Sequence, residues 1–161
     1  MIDKILNVTA EELNQINLSK YLKSTDDVGF PKGWFYMDAG IEHYRLLAYI
    51  SKLYNGVNLL DIGSYQGSSA IALSFNKKNK VISYDIDQQP EIAEINIPNI
   101  KFIQGNVLKD EITAPFILLD TYHDGEFEQE FADHLLKINY KGLVMFDDIH
   151  LSRKMDNSGM D

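Results

Sequence analysis

The chain has no cysteine. That excludes a disulfide scaffold, a thiolate metal site and a cysteine nucleophile, and it fits a reducing compartment. Proline is scarce, with four residues, while 45% of the chain is hydrophobic and 24% charged, which is the composition of a globular rather than a disordered protein. Cations are outnumbered, 15 Lys and Arg against 24 Asp and Glu, for a formal net charge of -9. A phosphate backbone is bound mainly through Lys and Arg, so nucleic acid is not an expected partner. No apolar run approaches the roughly 20 residues of a membrane span. The opening MIDKILNVTAEELNQINL also lacks the uncharged stretch of a secretory signal. No membrane association is expected, and the chain reads as cytoplasmic. No repeat or low-complexity tract is visible, and 161 residues suit one domain able to bury a core unaided.

The chain divides into a head (1–56), a body (57–150) and a polar tail (151–161). In the head, Thr9 followed by Glu12 has the form of a capping box at a helix start. Residues 24–37 are rich in turn formers and aromatics, and Trp34, Phe35 and Tyr36 there suit either a lid or a hydrophobic staple onto the body. A helix is expected from about Asp38, with Ile41, Tyr44, Leu47, Ala48 and Tyr54 at helical spacing and Asn55-Gly56 ending it. Glu42 and His43 near its start carry no assignment.

In the body, residues 57–62, 80–86, 100–104, 115–120 and 142–147 are short, β-rich apolar runs, of the kind a sheet covered on both faces requires. Helical stretches lie between them at about 66–76 and 124–139. Strands separated by helices predict right-handed βαβ crossovers and an α/β, doubly wound, mostly parallel, Rossmann-like sheet. Ligands of such sheets bind beyond the carboxyl ends of the strands, where the chain order reverses. With strand order 3-2-1-4-5, the Asp residues that finish strands one, four and five (Asp61, Asp120 and Asp147) face one crevice.

Residues 59–74 (LLDIGSYQGSSAIALS) read as strand, tight turn and helix. Gly63 permits the turn and Gly67 lets the helix start close to the sheet. The dinucleotide fingerprint needs a second glycine inside the turn, so that backbone can approach a pyrophosphate. This turn opens on Ser64 and has none, which suits a cofactor without phosphates better than NAD. Asp85 ends the second strand about 20 residues on, where a carboxylate can accept from both hydroxyls of a ribose. Asp120 with Asp147-Asp148 would gather carboxylates that repel unless a cation sits among them. Hard oxygen ligands without cysteine favour Mg²⁺ or another divalent cation over zinc.

The run DIGSYQGSSA, the acid of YDID and the strand ends LLDTYH and MFDDIH resemble class I S-adenosylmethionine-dependent methyltransferases. Among these the likeness is to metal-dependent O-methyltransferases of the macrocin, mycinamicin and cephalosporin-pathway type, with catechol O-methyltransferase more distant. The resemblance covers residues 57–150. It implies that Asp61, Gly63, Ser64 and Gly67 wrap the methionine part of S-adenosylmethionine, with Ser69 near its carboxylate. Asp85 then holds the ribose, Asn106-Val107 form the adenine wall, and Asp120 borders the cofactor. It further implies that Asp120, Asp147 and Asp148 hold the divalent ion, which fixes an acceptor hydroxyl, and that His123 is the general base. His150 reads as a loop residue.

Members of that family usually continue beyond the fifth strand into a helix and two further strands, which complete the sheet and often part of the acceptor pocket. Here the sheet is expected to lack them, leaving the fifth strand an open edge through which a homo-oligomer can form. The activity this implies is a metal-assisted O-methyltransferase acting on a small hydroxylated acceptor. Two alternatives stand beside it: a non-catalytic or truncated cofactor-binding module, and an NAD-type oxidoreductase.

Overall fold

The computed structural model describes residues 1–19, 38–122 and 125–147. The head opens with two single-turn helices, α1 (Ile2–Leu6) and α2 (Ala10–Asn14). The Thr9–Glu12 capping box is present: Thr9 Oγ1 accepts from the Glu12 N–H at 3.2 Å and Glu12 Oε2 accepts from the Thr9 N–H at 2.9 Å. Helix α3 (Asp38–Leu53) follows and stops before Gly56, which has a φ of +72°. Arg45 Nη1 donates to Asn14 Oδ1 at 2.6 Å, tying α2 to α3.

The body is β1 (Asn58–Ile62), α4 (Ser68–Leu73), β2 (Lys80–Asp85), β3 (Ile100–Gln104), β4 (Phe116–Leu119), α5 (Glu126–Lys137) and β5 (Leu143–Phe146). All four strand pairings are parallel, in the order β3-β2-β1-β4-β5. The expected helices prove shorter than their apolar patterns. The stretch at 66–76 begins as helix only at Ser68, because residues 63–67 form the turn. The stretch at 124–139 starts as helix after Gly125, whose φ is +84°.

Alternation along the strands sorts the core into two layers. Leu59, Val81, Phe116 and Leu118 face α3 and α4, with Leu47, Ile50 and Ile71 packed on them. Leu60, Ile62, Tyr84, Ile117 and Leu119 face the other way, onto Phe131 and Leu135 of α5. A sheet buried on both faces explains why β1 and β4 read as unbroken apolar runs. The carboxyl end of α3 is locked to the sheet through Asn79, whose Nδ2 donates to the carbonyls of Ser51 (2.8 Å) and Tyr54 (3.2 Å). Among the described residues β5 pairs with β4 alone, and no described helix is long and apolar enough to cross a membrane.

Candidate functional site

The alternation that fills the core also places one charged group inside it. Asp61 shares a face with Leu59, so it points toward α3 and α4, and it is fully buried. Its register partner on β2 is Ser83, also fully buried. Ser83 Oγ donates to Asp61 Oδ2 at 2.5 Å, and Ser64 Oγ lies 2.6 Å from Ser83 Oγ. Ser83 has one proton and gives it to Asp61, so Ser64 is the donor to Ser83. The Ser69 hydroxyl also favours the charged carboxylate, yet no bond of good geometry closes on Asp61 Oδ1, which is buried without a partner among the described residues. Burial pushes the Asp61 carboxyl up to about 7; Ser83 and Ser69 act against the rise, and Asp120 and Asp85 add to it.

The turn after β1 hugs two neighbouring strands. The N–H groups of Gly63 and Ser64 both donate to the Tyr84 carbonyl, at 2.8 and 3.1 Å. Gly63 has a φ of +95°, and a Cβ there would stand 1.5 Å from the Asp120 carbonyl oxygen. Gly67 has a φ of +85°, and its Cβ would come within 2.7 Å of Ile95 Cδ1. Gly63 is therefore required both by backbone conformation and by close approach to backbone, whereas Gly67 is required by its positive φ, since the tip of the Ile95 side chain can shift.

Asp85 ends β2 beside this turn. Its Oδ2 accepts from the Tyr65 N–H at 2.7 Å and its Oδ1 from the Asp87 N–H at 3.0 Å. A carboxylate offers about four acceptor positions. With one on each oxygen taken by backbone, one on each remains for a ligand, an arrangement matched to a vicinal diol. Ile86, next in sequence, is 75% exposed although apolar. It went unremarked in the sequence, where the only available signal was an isoleucine between two acids at a strand end.

At the end of β3, Asn106 Oδ1 caps a short 3₁₀ turn by accepting from the Leu108 N–H at 2.8 Å, which leaves its NH₂ group. Val107 is buried and its side chain packs in the α5-side core. A contact from Asn106-Val107 to a ligand would thus come from the Asn106 amide or from backbone rather than from the valine side chain.

Asp120 and Asp147 stand at the ends of adjacent strands, their N–H groups donating to Ile62 and Leu119. Helix α3 brings His43 and Tyr44 to the same end. His43 Nε2 lies 3.7 Å from Asp147 Oδ2. Burial pushes the Tyr44 phenol up to about 12, its hydrogen bond with Ser68 acts against that, and Asp120, Asp147 and Asp61 add to it. Asp61, Asp120 and Asp147 thus stand at the carboxyl ends of the three adjacent strands β1, β4 and β5, all acting on Tyr44, with Asp85 one strand away. Tyr44 was read in the sequence only as part of an apolar stripe and His43 was left unassigned; helical periodicity reports burial, not what the buried face meets. His123, Asp148, His150 and the Trp34–Tyr36 group lie outside the described residues. Among the described residues no three His, Asp or Glu side chains are grouped as metal ligands.

The fold is the Rossmann-like, five-stranded parallel arrangement found in methyltransferases, and solved methyltransferase structures are similar to it. One is the S-adenosylhomocysteine-bound methyltransferase PaMTH1 of Podospora anserina, at 15% identity and a TM-score of 0.57, covering 83% of this chain and 63% of that one. Another is cofactor-bound Rv0187 from MTB, at 15% identity and a TM-score of 0.56, covering 90% of this chain and 68% of that one. The third is coclaurine N-methyltransferase bound to N-methylheliamine and S-adenosylhomocysteine, at 22% identity and a TM-score of 0.52, covering 90% and 49%. This chain thus spans about half to two thirds of the length of these structures, and the likeness is one of fold. No protein-family model matches the sequence, and no curated protein matches it significantly.

Proposed function

We propose that the chain is the cofactor-binding domain of an S-adenosylmethionine-dependent methyltransferase that methylates a hydroxyl of a small acceptor. The observation that carries this is the pairing of two acids around one glycine turn: Asp61, buried with an unpartnered Oδ1, and Asp85, with one acceptor position left on each oxygen. The first suits the ammonium of an amino acid and the second suits a ribose. The turn between them has no second glycine to admit a pyrophosphate, so the same features disfavour a dinucleotide. The S-adenosylhomocysteine in two of the fold neighbours supports the reading.

When bound, S-adenosylmethionine supplies an electrophilic methyl group on a sulfonium. The residues of the chain have four tasks. Asp85 fixes the ribose, and Asp61 with Ser64 and Ser69 fixes the amino-acid end. Gly63 and Gly67 bring backbone close, and the exposed side chain of Ile86 offers an apolar surface for the adenine beside Asn106. Holding the donor in one pose converts part of the entropic barrier into prepaid binding. The acceptor oxygen must lie opposite the sulfur and give up its proton as the carbon–oxygen bond forms and the carbon–sulfur bond breaks. We assign that proton to His123, three residues beyond Asp120 in the sequence, because an imidazole is the side chain suited to taking a proton near neutral pH. Thr121 Oγ1 and the Gly125 N–H both donate to Glu128, at 2.6 and 3.1 Å, and so anchor the segment on either side of His123.

Assistance by Mg²⁺ is a separate refinement. It rests on Asp120 and Asp147 together with Asp148, and the described residues supply only the first two. The reaction above needs no step through a metal.

The test is formation of S-adenosylhomocysteine when the protein is incubated with S-adenosylmethionine and a panel of hydroxylated small molecules. Turnover on any member supports the proposal. Tight binding of S-adenosylhomocysteine with no turnover across the panel would favour a binding module instead, a reading to which the 49–68% coverage of the fold neighbours gives weight.

A further inference from the structure

Ser83 lies inside β2 rather than at its end. Its surroundings set it apart from a serine that merely fills space. It is fully buried, it faces Asp61 across the β1–β2 register, and it stands in the middle of the chain Ser64–Ser83–Asp61. The direction of that chain is fixed, since Asp61 can only accept when ionised and each hydroxyl has a single proton. Oδ2 therefore receives a donor that is itself held, while among the described residues buried Oδ1 has no partner.

We propose that Ser83 is a positioning residue for cofactor binding: fed by Ser64, it clamps Asp61 through Oδ2 and so presents Oδ1, ionised, to the primary ammonium at the amino-acid end of the ligand. The inference rests on the reading of the site given above and adds a residue to it. A buried carboxylate without a cation is costly. The groups acting on Asp61 from the packed elements are Ser69 of α4, Ser83 and Asp85 of β2, and Asp120 after β4, with Tyr44 of α3 also within its field. None of these described groups is cationic, so a ligand ammonium is the charge that Asp61 is placed to receive. Ser83 supplies the preference for the ionised form that makes Asp61 able to receive it, and an alanine there would leave the carboxyl protonated at pH values where the native residue is charged.

The experiment uses the full chain with Ser83→Ala and Ser83→Thr, the second retaining the hydroxyl on a residue favoured in strands. Two quantities are read. One is the titration midpoint of the Asp61 carboxyl carbon by ¹³C NMR in the ligand-free protein. The other is the dissociation constant of S-adenosylhomocysteine by calorimetry between about pH 6 and pH 9. A hydrogen bond to a charged group corresponds to roughly tenfold or more in binding. Ser83→Ala is expected to move the midpoint upward and to weaken S-adenosylhomocysteine about tenfold near pH 6 but only slightly near pH 9, and Ser83→Thr to restore both. An unmoved midpoint, or an equal loss at every pH, would overturn the proposal, because a residue needed only for packing gives one or the other. If the midpoint moves as expected but the native protein does not bind S-adenosylhomocysteine at any pH, the ammonium role fails together with the cofactor reading. The two failures are thereby told apart.

Discussion

Gly63 and the backbone carbonyl of Asp120 are in such close register that a single methyl group on Gly63 would lie 1.5 Å from that oxygen. The turn after β1 therefore touches the end of β4, and Asp61, Asp85 and Asp120 all lie at this end of the sheet. The site is a consequence of the strand order: only with β1 between β2 and β4 do the serine chain from β2 and the acid of β4 reach the same turn.

Gly63→Ala should accordingly be among the most damaging single changes in the molecule. It combines a left-handed backbone, costing about 1–3 kcal/mol for a residue with a side chain, with a clash against backbone that cannot rotate away, costing about as much again. A loss of roughly 3 kcal/mol or more is expected in urea unfolding. Gly56→Ala, also at positive φ but with open space around its missing Cβ, should cost clearly less.

Asp61 makes the ligand-free fold weaker as pH rises. Its carboxyl holds a proton to about pH 7 in the folded protein, against a starting value of 3.8. Between these values the folded state binds more protons than the unfolded one, so stability falls as pH climbs through that window and stays lower above it. The penalty is on the order of a few kcal/mol. Asp61→Asn should therefore melt higher than the native protein at pH 8, with the gap narrowing toward pH 4, while its affinity for S-adenosylhomocysteine drops. A variant that melts lower at pH 8 would show that the carboxylate is compensated within the protein.

How much of this was legible in the residues can be argued from particular cases. The strands were visible because β1 and β4 are continuous apolar runs, and parallel pairing follows from the helices between them. The order 3-2-1-4-5, expected of a doubly wound sheet with this likeness, holds in the structure. The tight turn over Gly63, Ser64 and Gly67 was legible from its strand–glycine–helix pattern, and the structure places Asp85 against it. Ser83 was not, since a serine inside an apolar strand announces nothing until its register partner is known. Tyr44 and His43 were hidden for a related reason: a helix pattern tells which face is buried and is silent on whether it meets leucines or carboxylates. The helix expected at 66–76 was overlong because apolar periodicity runs on through residues that the turn and the packing take out of the helix.

For the adenosine half, Asp85→Asn and Ile86→Ser should separate recognition from stability. The amide keeps an acceptor for one backbone N–H but loses the charge, and S-adenosylhomocysteine should bind roughly ten- to a hundredfold more weakly. Ile86 is largely exposed, so its replacement should leave the melting temperature nearly unchanged while weakening the nucleoside several-fold. Equal affinities in all three proteins would place the nucleoside elsewhere.

If turnover is found, chelation decides the role of a cation. Activity abolished by EDTA, restored by Mg²⁺ and lost in Asp147→Ala would support a carboxylate-held ion. Activity indifferent to EDTA would leave His123 to act alone, and His123→Ala should then remove most of it near neutral pH.

The account depends most directly on what the glycine turn holds, and calorimetric titration of the native chain with S-adenosylhomocysteine and, separately, with NAD tests it in one measurement. The proposed function predicts saturable one-to-one binding of S-adenosylhomocysteine that is weakened by Asp61→Asn and by Asp85→Asn, with no heat from NAD. Binding of NAD with none of S-adenosylhomocysteine, or binding that neither substitution alters, would contradict it.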